Sequence, residues 1–179
     1  MTFMLLAGFR ASFALISCGQ AVRRVMAASR SNRSNAPDQQ KSNMNSYIKA
    51  ITNLDLLMVE DMLADDPKWI NWAEPSGKNA LHCLCGVTAS NGSPKANEAL
   101  KILKLLLKSG MDINSVHRIE EKNCDHFPAT PLRYGYTRGR NEKLYKYLLK
   151  QGADPSHCWW AIAWYDDVPA GKLWLKHGA

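Results

Sequence analysis

The sequence lacks several features that would assign it to a well-marked class. No apolar run approaches the roughly 18 to 20 residues of a membrane-spanning helix. There is no glycine-rich phosphate loop, no nucleophile elbow and no Cys–His spacing typical of a catalytic or zinc site. The five cysteines are scattered and odd in number, which favours free thiols in a reducing compartment over a secreted disulfide scaffold. We therefore expect a non-catalytic cytoplasmic protein with no transmembrane segment, cofactor or bound metal.

Acidic residues are nearly absent from the first 43 positions, which contain six basic residues and one acidic residue, Asp38. The remainder holds 17 basic and 15 acidic residues, so most of the net charge of +7 belongs to this leader. A folded region so close to neutrality lacks the basic patch expected of a nucleic-acid-binding domain. We expect no nucleic-acid partner.

Residues 1–43 show no sustained amphipathic period, and the polar stretch from Ser29 to Ser42 predicts a disordered linker. Three interpretations stay open. The Arg- and Ser-bearing composition is like that of an organellar transit peptide. The segment Leu15–Cys18 resembles a bacterial lipoprotein cleavage box, although Arg10 shortens its apolar region. Alternatively, translation begins at Met44.

A helical pattern begins near Ser46. Apolar residues fall in two short groups, around Ile48 and from Leu56 to Leu63, with turn chemistry between them. Neither helix could bury its apolar stripe alone, so neighbouring pairs must stack. The pattern recurs three more times, and the second helices end at Gly110, Gly152 and Gly178, where we predict left-handed C-caps.

The openings of two first helices carry a family resemblance. Gly77–His82 and Pro128–Arg133 resemble the Thr-Pro-Leu-His signature of ankyrin repeats, with Thr130 as the expected N-cap. The resemblance implies an all-α ankyrin-repeat solenoid of four helix pairs over residues 44–179. It also implies a monomeric chain that binds a protein partner through a concave groove. The alternative function is an exported or lipid-anchored effector or immunity factor, or the recognition part of a larger multidomain protein.

The sequence departs from the regular repeat of about 33 residues. Insertions lie near Ser90–Pro94 and from Ser115 to Asp125, and the last repeat has no finger before Trp159. The chain ends within a signature at Ala179, so either a further repeat or domain follows or a partner covers the apolar last helix, and we expect the first.

Position-by-position transfer from ankyrin repeats implies a set of groove residues that would contact the partner. Aromatic residues and arginine commonly carry the binding energy at such interfaces. Trp164 is the first choice for a hot spot, whereas most of the six tryptophans are expected in the core. The groove set is Trp72, Pro75, Ser76, Lys78, Val87, His126, Phe127, Thr137, Arg138, Trp164 and Tyr165.

Other chemistry-bearing groups have simpler expected roles. His82, Cys83 and Cys85 should be structural, because residues two apart on a helix do not converge on a metal. A loop site formed by His117, Cys124 and His126 lacks paired zinc spacing. The pair Asp166–Asp167 should cap the following helix, and the lysines at 101, 104 and 108 should form a solvated face.

Overall fold

The computed structural model describes residues 37–121 and 124–178, without the side chains of residues 37–40 and 124–125. The interpretations of the leader up to residue 36 fall outside the described residues. Residues Gln40–Ala179 form one compact unit. Within the described part of the chain, no helix combines the length and apolarity needed to cross a bilayer.

The structure is mostly helical. Its α-helices are α1 (Pro37–Asn53), α2 (Leu56–Asp65), α3 (Ala80–Cys85), α4 (Pro94–Lys108), α5 (Pro131–Tyr134), α6 (Glu142–Lys150), α7 (Trp159–Trp164) and α8 (Val168–Lys176). Short 3₁₀ segments cover Pro67–Asn71 and Ser156–Cys158, and a single π turn, Gly135–Gly139, extends α5.

Helix α1 begins at Pro37, earlier than the pattern predicts, so the last part of the expected disordered linker is helical. Proline is tolerated at the first position of a helix, and the Gln and Lys residues that follow have high helix propensity. The buried face of α1 starts only at Tyr47, with Ala50 and Ile51 one turn later. The apolar pattern therefore marks where α1 packs, not where it starts.

The described part of the chain contains eight α-helices, most of them short and joined by tight turns. Local capping sets their ends: Asp55 and Thr130 accept hydrogen bonds from the first-turn amides of α2 and α5, and Asp167 does so for α8. The predicted glycine C-caps are confirmed by the positive φ angles of Gly110 (100°), Gly152 (89°) and Gly178 (90°). Each turn allows the chain to reverse towards the next pair.

Neighbouring pairs pack helix against helix along the chain. Helix α4 lies against α2 on one side and against α6 on the other, and α3 packs on α5. One continuous apolar core results, because each helix buries a single stripe against the next pair. Its largest fully buried side chains include Leu81, Ile102, Leu132, Leu148 and Trp174.

The described residues are mostly helical, in line with the expected all-α class, and they also include one small two-stranded sheet. Residues His117–Glu121 (β1) and Cys124–Ala129 (β2) form an antiparallel hairpin, with Ile119 opposite Phe127 and a register shift near its tip. The insertion from Ser115 to Asp125 supplies enough chain for two strands, which satisfy each other's backbone groups. The amide of Arg118 also donates to the Ser76 carbonyl of the preceding turn (2.7 Å), so consecutive loops are joined.

The expectation that most tryptophans are core residues is wrong. Trp174 is fully buried, but the exposed fractions of Trp159, Trp160 and Trp164 are 36%, 61% and 71%. Trp69 and Trp72 are partly buried. The three exposed rings lie on α7, in the last pair, where only Ala161 and Ile162 are turned into the core.

Candidate functional site

A contiguous row of side chains runs from the hairpin across α5 to α7. We call Phe127, Arg133, Trp160 and Trp164 the aromatic row. The Arg133 guanidinium carbon lies 3.8 Å from the centroid of the Phe127 ring and 5.9 Å from that of Trp160. Trp160 in turn stacks on Trp164, with centroids 5.2 Å apart and ring planes 18° from parallel. The hairpin, α5 and α7 therefore contribute to one surface.

Helix α7 presents the two stacked rings because Trp160 and Trp164 are four residues apart and share one face of the helix. The opposite face holds Ala161 and Ile162, which are buried. Stacking keeps both indoles in a defined arrangement while they remain mostly solvent-accessible. Large aromatic surfaces left exposed in this way are typical of interaction sites.

The Arg133 side chain lies between the rings of Phe127 and Trp160. Its side chain is half-buried, and its Nη1 atom is buried without a hydrogen-bond acceptor among the described residues. Burial lowers the pKa of the guanidinium, while nearby Cys158 and Glu121 act in the opposite direction. The group nonetheless stays charged, since an arginine has a very high intrinsic pKa.

Two further arginines follow Arg133 along the chain, each lying over a tyrosine ring. The guanidinium carbon of Arg138 is 4.6 Å from the Tyr134 centroid, and that of Arg140 is 5.4 Å from the Tyr165 centroid. The backbone of Arg140 is left-handed (φ 46°), at the end of the π turn. This irregular turn is what projects both side chains.

The structure divides the predicted groove residues into two regions. His126, Phe127, Thr137, Arg138, Trp164 and Tyr165 belong to the hairpin and to the third and fourth pairs, on or beside the aromatic row. His126 is exposed, and the Thr137 hydroxyl donates to the Arg133 carbonyl (2.8 Å). Val87 is partly buried in the loop after α3.

The second region is the turn between Ala73 and Asn79, which form an isolated bridge. Trp72, Pro75 and Lys78 line a cleft of about 340 Å³ together with α1. Lys78 forms a salt bridge with Glu74 (3.6 Å), and the Ser76 hydroxyl donates to the same carboxylate (3.5 Å). These groups are committed to holding the turn, which leaves them less available to a partner than the aromatic row.

A larger cleft of about 500 Å³ lies beside the row and is lined by tyrosines and carboxylates. Tyr136 contacts Tyr145 and Tyr165 edge to face, and its hydroxyl donates to Asp167 (3.0 Å). Burial and the bond to Asp167 raise the pKa of Tyr136, and burial raises that of Tyr145 to about 12. Both phenols stay protonated near neutral pH. As expected, Asp167 caps the next helix.

The histidine and cysteine groups have structural surroundings. His82 is fully buried, and burial lowers its pKa to about 4. Burial raises the pKa of the Cys158 thiol to about 11 and raises that of Cys85 as well, so neither is an activated nucleophile. Among the described residues no three His, Cys, Asp or Glu side chains are grouped closely enough to hold a metal ion. The side chain of Cys124 lies outside that description.

Sequence reasoning missed Arg133 and Trp160, the two central members of the aromatic row. A signal for each was present. Arg133 directly follows Pro131-Leu132 at the start of a helix, and Trp160 precedes Trp164 by one helical turn. What no pattern could supply was the approach of the hairpin that brings Phe127 onto Arg133.

Comparisons with known proteins give no assignment to set beside this geometry: no protein-family model, no curated protein and no solved structure matches the chain.

Proposed function

We propose that the chain is a non-catalytic protein-recognition module, an ankyrin-like solenoid that binds a protein partner through the surface formed by its hairpin and first helices. The ordered helix pairs, the glycine C-caps and the finger-like turns support the ankyrin part of this proposal. Free thiols at Cys83, Cys85 and Cys158 suit a reducing compartment, so we propose a cytoplasmic location.

The observation that carries the proposal is the exposed stacked pair Trp160–Trp164 at the end of the aromatic row. A monomer gains nothing in stability by leaving two indoles exposed to water, because their burial would contribute roughly 25 cal/mol per Å². Tryptophan and arginine at the centre of a surface patch are the residue types that dominate binding energies at interfaces.

The rigidity of the surface would make binding efficient. Both indole rings stand on α7, whose other face is in the core, and Arg133 lies between the Phe127 and Trp160 rings. Little side-chain ordering then opposes association. The scaffold contributes pre-organisation, and the aromatic row contributes the contact energy.

Affinity capture with the full chain tests this function. Proteins retained by the wild type are compared with those retained by Trp160→Ala/Trp164→Ala and by Leu57→Ala, a matched control whose side chain on α2 is 73% exposed. We expect the double variant to lose a discrete bound protein that the control keeps, with unchanged thermal unfolding for both. Equal recovery by a folded double variant would reject the aromatic row as the binding surface.

A further inference from the structure

We propose that the aromatic row recognises a partner segment that places a carboxylate next to an apolar or aromatic side chain, with Arg133 as the anchor for the carboxylate. This inference rests on the proposed function and specifies the chemistry of the partner. The first support is that Arg133 takes part in none of the salt bridges among the described residues, although Glu121 lies near enough to raise its pKa. Among the described residues the salt bridges are Lys78–Glu74, Lys101–Glu98 and Lys146–Glu142, and each uses a lysine.

The second support is the position of the Arg133 guanidinium. The group is partly removed from water by two aromatic faces, and one of its nitrogens is buried without an acceptor. The desolvation cost of the cation is therefore already present in the free protein. A carboxylate arriving at the accessible edge would be attracted more strongly than at a fully hydrated arginine, because water screens the pair less. The planar guanidinium also matches a carboxylate in two-point geometry.

The third support is the spacing of the groups along the row. The Arg133 guanidinium lies 5.9 Å from the Trp160 ring, and Trp164 lies a further 5.2 Å from that ring. An extended peptide advances about 3.3 Å per residue, and a helix rises about 5.4 Å per turn. In the partner, the acidic and the apolar residue should thus lie two positions apart if the segment is a strand, or three to four positions apart if it is a helix.

Single-stranded nucleic acid is the competing occupant, since bases also stack on aromatic rings beside arginines. The charge distribution favours the acidic peptide. Only one cation lies within the aromatic row, and the adjoining cleft is lined by three carboxylates, Asp166, Asp167 and Glu142, against one guanidinium, that of Arg140. A backbone of successive phosphates would meet those carboxylates, but a peptide with one or two acidic residues would not need to.

Panning of a phage-displayed library of random 16-residue peptides on the immobilised full chain tests the inference. We expect enriched peptides to share an Asp or Glu next to a Trp, Phe or Leu. The affinity of one enriched peptide is then measured by fluorescence polarisation, together with its Glu→Gln (or Asp→Asn) version, which requires no protein variant. Neutralising the peptide carboxylate should weaken binding to the wild-type chain at least 10-fold.

Protein variants locate the effect. Arg133→Gln should weaken the original peptide at least 10-fold and the neutralised peptide less than 2-fold, while Arg118→Gln, an exposed arginine on β1, should change neither. Enrichment of acid-free peptides, a neutralised peptide that binds as well as the original, or displacement of the peptide by a 20-nucleotide oligo(dT) would overturn the inference. A library that yields no enriched peptide would overturn it too.

The two proposals fail separately. Loss of peptide binding in Trp160→Ala/Trp164→Ala with no effect of the peptide carboxylate would refute the role of Arg133 and leave the aromatic row as a binding surface. Peptide binding that is unaffected by the double tryptophan change would refute the proposed function itself.

Discussion

Lowering the pH should destabilise the fold through His82. The Nε2–H of this fully buried imidazole donates to the Ala129 carbonyl of the next pair (3.1 Å), and Nδ1 accepts from the Asn79 amide (3.2 Å). Both bonds are satisfied by one neutral tautomer. Burial is the main cause that lowers the pKa to about 4; the hydrogen bond to the Ala129 carbonyl opposes it, and the charges of His117 and Lys78 add to it. The folded state therefore disfavours the imidazolium.

The magnitude follows from linkage. The unfolded chain binds a proton at His82 near pH 6.5, and the folded chain only near pH 4. Because the unfolded state holds more protons between these values, stability is complete above about pH 6.5 and falls as the pH decreases towards 4. Between pH 7.5 and 4.5 the loss in the free energy of unfolding should be about 2.5 kcal/mol, from roughly 1.4 kcal/mol per pKa unit.

Urea denaturation of the full chain at pH 7.5, 6.5, 5.5 and 4.5 measures this dependence, with His82→Gln as the non-titrating comparison. Glutamine can donate and accept at similar positions, so this variant should be less stable at pH 7.5 but lose less stability on acidification. Some slope should remain, because burial also lowers the pKa of His117. An equal slope in wild type and His82→Gln would refute the reasoning that His82 titrates in a buried, neutral state.

Two further predictions concern packing. Trp174→Ala should reduce the free energy of unfolding by about 4 kcal/mol because the ring is fully buried, whereas Leu175→Ala, at 61% exposure, should change it by less than about 0.5 kcal/mol. Gly139→Ala should destabilise by about 2 kcal/mol, since a Cβ there would overlap a backbone carbonyl at the end of α3. Its control, Gly171→Ala in α8, meets only ordinary contacts and should be neutral or stabilising by up to about 1 kcal/mol. Urea denaturation at pH 7.5 checks all four variants, and similar losses within either pair would contradict the packing described.

The helix pairs were predictable because their signals are local. Apolar spacing of three and four, a capping residue such as Thr130 and a glycine such as Gly110 each act within one or two turns of chain. The same locality explains the successful expectation that Asp167 caps a helix and that His82 is structural. Where the local signal was weak, as at the start of α1, the boundary was missed.

The candidate site was predictable only in part. Trp164, Tyr165, Phe127 and Arg138 were named from the resemblance to ankyrin repeats, and the structure places Phe127 and Trp164 in the aromatic row. Burial of the other tryptophans was overestimated. A large apolar side chain is normally expected in the core, and the sequence does not show whether another element covers it.

The amino-acid sequence by itself determined the order of the helix pairs and where most of them end, because capping and amphipathic period are properties of short segments. Tertiary structure alone decided that the Ser115–Asp125 insertion pairs into a hairpin and that this hairpin carries Phe127 onto Arg133. Contacts between residues far apart in the chain depend on how whole elements pack, and no local pattern encodes the 3.8 Å between that ring and that guanidinium.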